Sequence, residues 1–569
     1  MYKNAKYREY SYSKGCVLLY IRRLKVTRFV FLSLLIIVTV KLFNIQTVTG
    51  KQYSTQAAMQ QSRNRIIYKE RGDILDRNGI SFTGRDTYWK AILQPVTLLN
   101  NPNALRIVAD VLGLDVAYLK DQLSKDNLPY VTNITEAQAR AIEDSSLAGI
   151  SVIDLKRRYN ENTLAPHILG YVDKSGTEGL AGIEKAYNDT LKRGGGVYVG
   201  ILADAGDSFM NDLGYRIWNS MGKERLNIQL TLDYHLQSIV ESIMDRLVDK
   251  GAVVLMDILT GEILAIASRP DFNPSNINPY LLDEKQPLFN RTLGAYTPGS
   301  VFKMITAAAA LEEGFSPDTM YDCPGYVDLG GLIMKCTSYE EGGHGNINMV
   351  QAFARSCNSY FIHLGLEIGR EKILAMADKF GLGKNTGLQN EGIEESSGTL
   401  PSYIGNASPA EIGNISIGQG EILISPVQAA NMASVIANGG LLNDVSLIKA
   451  IVNDEGEKIR NISAPAWSRA VSKETAAALQ GMMLLTVQSG TGKWADIGGH
   501  GGSAGKTGSA ETGWIRDNRN ILHAWFSGYF PVDCPRYALC VFIEDGKSGS
   551  VSAAPIFAEI SAQIMDAGY

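Results

Sequence analysis

Five places in this 569-residue chain set a serine three positions ahead of a lysine: Ser11, Ser220, Ser300, Ser446 and Ser503. On a helix that spacing puts hydroxyl and amine on one face, a candidate nucleophile and base. Context separates Ser300 from the rest. Tyr296-Thr-Pro-Gly-Ser300-Val-Phe-Lys303 leads from a Pro-Gly turn into an Ala-rich apolar run that stops at Gly314, a residue suited to the left-handed cap of a helix. Ser300 is thereby expected in a first helical turn, where unpaired N–H groups and the helix dipole favour a developing oxyanion. Lys303, in the first turn of so apolar a helix, is expected to be desolvated, which lowers an ammonium pKa.

Two triplets could complete such a site. Ser356-Cys357-Asn358 falls at the start or end of a helix predicted over 349–366, and Lys506-Thr507-Gly508 falls on a strand predicted over 505–512. Ser-x-Asn recurs at Ser62 and Lys-Ser-Gly at Lys174 and Lys547, whereas Lys-Thr-Gly occurs once. The order nucleophile, polar triplet, cationic strand within one domain is what carries weight. Gly505-Lys506-Thr507 is not the end of a phosphate-binding loop, because His500 stands where that motif needs its first glycine.

The elements that must position these residues follow from periodicity. Helical spacing runs from Asp233 to Asp249. Apolar strands are predicted at 251–257 and 262–268 around Thr260-Gly261, and at 523–530 and 537–544. With 505–512 these make an antiparallel sheet of five strands, closed by a helix over 551–567, while residues 290–490 read as a largely helical lobe. The fold class is α/β, with the site expected where sheet and lobe meet. Upstream, helices near 103–126 and 135–147 and strands near 150–158 and 196–202 form an α+β module, entered through a polar helix over 50–70 and an Asn78-Gly79 turn.

Charge and hydropathy place the protein. The net charge of -5 hides a stub, residues 1–28, with eight Lys/Arg against Glu9 alone. The apolar run 29–48 behind it is long enough to cross a bilayer, and the cations before it place the N-terminus in the cytoplasm and the rest outside. The organisation is then a basic stub (1–28), a transmembrane helix (29–48), an N-terminal pedestal or dimerisation-like module (49–222) and a catalytic domain (223–569). The acidic remainder lacks the basic stripe of a nucleic-acid surface. Six scattered cysteines are too few for a disulfide scaffold, although Cys323 with Cys336 and Cys534 with Cys540 are close enough in sequence to bridge. No Cys-x-x-Cys pair is present, and neither a metal nor another cofactor is expected.

Ser300-x-x-Lys303, Ser356-x-Asn358 and Lys506-Thr507-Gly508 together resemble the three motifs of the penicillin-binding proteins and serine β-lactamases. Thr260-Gly-Glu-Ile-Leu-Ala265, Asn290-Arg291, Tyr296-x-Pro-Gly299, Gly418-Gln-Gly420 with Ser425-Pro426, and Ser489-Gly-Thr-Gly492 are similar to the transpeptidase domain. Arg71-Gly-x-Ile-x-Asp76-Arg-Asn-Gly79 and Gly179-x-x-Gly-Ile-Glu184 resemble the N-terminal module of the class B members. The resemblance implies a membrane-anchored peptidoglycan D,D-transpeptidase that is acylated by β-lactams. Ser300 would attack the penultimate D-alanine of a stem peptide and Lys303 would take its proton. Ser356 would relay a proton to the leaving amine, and Asn358 would orient Lys303 and the substrate amide. Lys506 and Thr507 would hold the substrate carboxylate, Gly508 would leave room for substrate along the strand, and the N–H groups of Ser300 and Ser509 would form the oxyanion hole. Partners implied are stem peptides, β-lactams, the membrane and cell-wall enzymes such as a lipid II glycosyltransferase. A carboxypeptidase or β-lactamase-type hydrolase, and a non-catalytic penicillin-binding scaffold or sensor, are the alternatives.

Overall fold

The computed structural model describes residues 14–48, 50, 62–125, 128–202, 215–220, 224–402, 407–462, 466–516 and 519–569. Most of the basic stub and the start of the polar segment after the apolar run lie outside the described residues. A 30-residue helix, Lys14–Phe43, continues as a short π-helical turn, Asn44–Val48. Its apolar stretch, Ile21–Thr47, is long enough to cross a membrane, and none of it is covered by protein. The apolar helix thus begins ahead of Phe29, because the arginines and lysines of its first turns are helix formers too.

The chain divides into two compact units: residues 1–68, 89–153 and 195–222 in the first, and 69–88, 154–194 and 223–569 in the second. In the first unit, the end of the segment predicted as a polar helix is instead a strand, Ser62–Lys69, in a three-stranded sheet with Gly196–Leu202 and Tyr215–Ser220. The run Ile66-Ile67-Tyr68 explains this, since β-branched and aromatic residues favour the pleated conformation. The helix predicted over 103–126 is two helices, Pro102–Leu112 and Val116–Ser124. Gly113 takes φ 66° and caps the first, and the Asp115 carboxylate accepts the Tyr118 N–H to open the second. These helices and Glu136–Ser145 pack on the strand Asp86–Leu93 through Leu93, Leu105, Val108, Leu119 and Ile142.

In the second unit the five-stranded sheet runs, edge to edge, Ile263–Arg269, Gly251–Asp257, Tyr537–Gly546, Arg519–Phe530 and Ala504–Arg516, every pair antiparallel. Strands buried on both faces need apolar side chains on both, and Val253 to Met256 and Leu539 to Phe542 supply them. Helices Tyr234–Leu247 and Ala554–Asp566 cover one face. The other face joins the large core beneath the helical lobe. Ala504–Arg516, which carries Lys506, Thr507 and Gly508, is an edge strand whose free side meets the Ser300 turn.

Segments 69–88 and 154–194 are bound into this unit by charge. Glu184, fully buried, accepts from Arg71 Nε at 2.5 Å, Arg158 Nε at 2.6 Å and the Tyr159 hydroxyl at 2.8 Å. Arg71 also donates to the carbonyl oxygens of Thr177 and Glu184 and to Asn188 Oδ1. Asp76 holds the backbone N–H groups of Asn78 and Ile80, and its other oxygen accepts from the Tyr234 N–H. The two upstream motifs noted in the sequence are therefore a buried clasp. Such a network is expensive to break, because removing one partner strands the others without solvent.

Candidate active site

Several sequence segments build one cleft of about 640 Å³, lined by Ser300, Ser356, Asn358, Thr491, Thr507 and Ser509 among others. Gly299–Phe302 forms a 3-10 turn that runs into the α-helix Lys303–Glu312, so Ser300 lies in the tightened first turn rather than in the α-helix itself. Gly299 takes φ 54°, and a Cβ there would come within 2.7 Å of Ser509 O. The Gly299 N–H is held by Gly418 O at 2.9 Å, so the Gly-Gln-Gly segment seats the turn that carries Ser300. Tyr296 is paired through both backbone groups with Ile424, and its hydroxyl donates to Glu544 Oε1 at 3.0 Å. The buried Arg291 guanidinium lies 3.1 Å from that same oxygen. Ser425 opens the helix Pro426–Ala437 with a capping box to Gln428. The similarity motifs are thus largely the scaffolding of the turn.

Lys303 is wholly buried, and residues 303–310 of its helix are buried on every side. Its ammonium donates to Ser356 O at 2.8 Å and to Asn358 Oδ1 at 2.8 Å, with Ser356 Oγ at 3.3 Å. The helix predicted over 349–366 is broken there into Met349–Ala354 and Asn358–Ile368. Ser356 takes φ 55° between them, a left-handed conformation that bulky residues avoid, and its carbonyl is the one that meets Lys303. Burial pushes the Lys303 pKa down to about 8, against the pull of the nearby Cys357 and Cys336 sulfurs. Below that pH the folded protein carries a desolvated ammonium at a cost of about 3 kcal/mol, and the cost fades as pH rises from 8 towards the unfolded value.

Lys506 is also fully buried. Its ammonium donates to Thr507 O at 3.1 Å and lies 5.5 Å from the centre of the Phe353 ring. Burial first, and the charge of Lys303 second, hold its pKa well below that of an ordinary lysine. The repulsion between the two falls on Lys506, while Lys303 is lowered by burial, as expected of a lysine in so apolar a helix. Neither ammonium is on the surface of the cleft. The groups that face it include hydroxyls: Thr507, whose Oγ1 is 2.6 Å from Thr491 Oγ1, and Ser509, whose Oγ accepts the Gly549 N–H. Thr491 was visible only as part of Ser489-Gly-Thr-Gly492. Its N–H donates to Ala354 O, which ties that loop to the helix ending just before Ser356.

Gly508 differs in its reason. A Cβ there would meet Pro298 O at 2.7 Å and Val301 Cγ2 at 2.8 Å. The absent side chain makes room for the turn that carries Ser300. Cys323, Cys336, Cys534 and Cys540 are free thiols, so neither bridge considered from the sequence is formed.

Sheet, lobe and cleft define a class, the penicillin-binding transpeptidase fold. Residues 251–562 match the penicillin binding protein transpeptidase domain, and residues 66–202 the penicillin-binding protein dimerisation domain. The chain is 30% identical to stage V sporulation protein D of Bacillus subtilis, over 92% of this chain and 82% of that protein. It is 28% identical to the peptidoglycan D,D-transpeptidase MrdA of Acinetobacter baumannii, over 89% and 82%. A solved structure described as the structural coordination of polymerization and crosslinking by a peptidoglycan synthase complex superposes with a TM-score of 0.70 at 26% identity, covering 95% of this chain and 98% of that one. The penicillin-binding protein of Helicobacter pylori solved with MreC has the same fold, with a TM-score of 0.66 at 24% identity, covering 89% and 100%. The chain belongs to the penicillin-binding protein transpeptidase family.

Proposed function

We propose that this chain is a peptidoglycan D,D-transpeptidase held by one N-terminal span, with its catalytic unit outside the cytoplasmic membrane. The observation that carries the reading is the Lys303 ammonium, fully buried three residues on from Ser300, bonded to Ser356 and Asn358, and with a pKa near 8. A neutral fraction of this amine takes the Ser300 proton as Oγ attacks the carbonyl of the penultimate D-alanine. The oxyanion is met by the N–H groups of Ser300 and Ser509. Collapse breaks the peptide bond, and a proton passed through Ser356 leaves with the terminal D-alanine. An amine of a second stem peptide then takes the acyl group.

Substrate carboxylate is bound by the hydroxyls of Thr507, Thr491 and Ser509, with Lys506 supplying positive potential from beneath rather than direct contact. Asn358 orients Lys303 and the substrate amide. Cations ahead of the apolar helix favour a cytoplasmic N-terminus. A separate glycan polymerase is the partner this reading calls for, in keeping with the polymerization-and-crosslinking complex among the structural relatives.

The test uses the full chain in detergent. Ser300→Ala is expected to abolish covalent labelling by a fluorescent penicillin while leaving the melting transition in place; surviving label would remove Ser300 as nucleophile. Wild type given donor and acceptor stem peptides is expected to form crosslinks. Release of D-alanine with no crosslinked product would favour the hydrolase alternative.

A further inference from the structure

The edge strand Ala504–Arg516 offers the cleft a row of side chains that ends in a charge. Alternate residues face the protein: Lys506 and Ala510 are fully buried, and a Cβ on Gly508 would strike Val301. The residues between them, Thr507, Ser509 and Glu511, line the cleft, as does Leu522, the partner of Glu511 on the neighbouring strand. Beyond Glu511 the pairing loses register before it resumes at Ile515, so Glu511 closes the regular row. Among the described residues that line the cleft it is the one acid, and Lys335 the one cation. Lys335 is engaged close by in the chain, 3.6 Å from Glu340 and 4.0 Å from the centre of the Tyr339 ring. The exposed Glu511 carboxylate has no ion-pair partner among the described residues.

We propose that Glu511 binds a side-chain ammonium of the stem peptide and so selects stems that carry a free amine. The inference rests on the transpeptidase reading above. In that reading the terminal carboxylate of the donor lies at Thr507 and its scissile carbonyl at the Ser509 N–H. The same direction along the strand carries the preceding residue of the donor toward Glu511, since side chains two apart on a strand are about 6.8 Å apart. A solvated glutamate is ordinary at a surface, but this one extends a row of substrate-facing hydroxyls.

An acceptor stem must present an amine, and donor and acceptor are strands of one polymer, so every donor carries that amine too. The row is backed by a lysine at one end, where Lys506 is bonded to Thr507 O, and is anionic at the other, at Glu511. That polarity matches a peptide with a carboxylate at its end and an ammonium further in. The contact is an ion pair, and no bond is made or broken by it. The ammonium belongs either to the residue before the two D-alanines of the bound donor or to the incoming acceptor, whose amine must reach the same acyl carbonyl.

The test uses the full chain in detergent with synthetic stems. In the donor arm, a stem with lysine before D-Ala-D-Ala is compared with the same stem acetylated on its lysine amine, and D-alanine release gives kcat/KM. Each value is divided by the same protein's acylation rate constant with penicillin V, whose side chain is uncharged, so that a general change in Ser300 reactivity cancels. In the acceptor arm, the acetylated stem is the donor, and crosslink formed per D-alanine released is followed as a lysine-bearing acceptor stem is raised. If the donor supplies the ammonium, wild type is expected to favour the free-amine donor by about three- to tenfold; Glu511→Gln removes that preference and Glu511→Lys inverts it. If the acceptor supplies it, the same substitutions raise the acceptor concentration for half-maximal crosslinking by a like factor. Either effect weakens in wild type as salt rises from about 0.1 M to about 1 M, which carries the test should a variant fail to fold. The proposal is overturned if both substitutions leave donor preference and acceptor requirement as in wild type, or if neither depends on salt. Wild type that neither reacts with penicillin V nor releases D-alanine would refute the transpeptidase reading and this inference with it.

Discussion

Protonation of Lys303 is the perturbation that bears most directly on mechanism. With a pKa of about 8, the neutral amine is about 1% of molecules at pH 6, about 9% at pH 7 and about 90% at pH 9. The second-order rate constant for acylation reports the free enzyme. Measured with a fluorescent penicillin, it is therefore expected to rise nearly tenfold from pH 6 to 7 and to level off above pH 9. Lys506→Met separates two accounts of that pKa. If like-charge repulsion lowers Lys303, deleting Lys506 moves the midpoint up by a unit or more. If burial lowers it, the amplitude falls while the midpoint stays near pH 8. The burial account is the expected outcome. A flat profile from pH 6 to 9 would refute Lys303 as the base, and an alkaline shift in Lys506→Met would refute the burial argument.

Two further substitutions test the scaffolding. Gly508→Ala drives a methyl into Pro298 O; it is expected to cost about 1–3 kcal/mol in denaturant unfolding and to slow acylation by roughly 100-fold as the strand retreats from the nucleophile. Unchanged acylation would mean that the turn and strand need not touch. Glu184→Ala leaves two buried guanidinium groups and the Tyr159 hydroxyl without their acceptor, and is expected to lower stability by about 3–5 kcal/mol. A loss below 1 kcal/mol in urea unfolding would show that water already reaches the clasp.

Much of the catalytic unit was legible in the sequence because its signals are local. Val253 to Met256 and Leu539 to Phe542 could only be buried strands, and the Pro-Gly turn before Ser300 marks its own helix start. The break at Ser356 was not legible. A left-handed serine leaves no trace in hydrophobic periodicity, which runs unbroken from Met349 to Leu366. Depth was misjudged for Lys506, where strand alternation gives a face but not what lies on it; Phe353, which covers the ammonium, comes from a helix some 150 residues earlier. The strand Ser62–Lys69 was hidden by glutamines upstream that favour helix. The roles of Arg71 and Glu184, 113 residues apart, required the fold.

The position of the two lysines beneath the floor of the cleft has a consequence for ionic strength. A surface ammonium is met by counterions, and its field falls away within about 8 Å in physiological salt. Lys303 and Lys506 are fully buried, so no chloride or phosphate can sit on them, and their field reaches the cleft through the groups that line it. Simple anions therefore cannot seat themselves on the source of that potential and extinguish it.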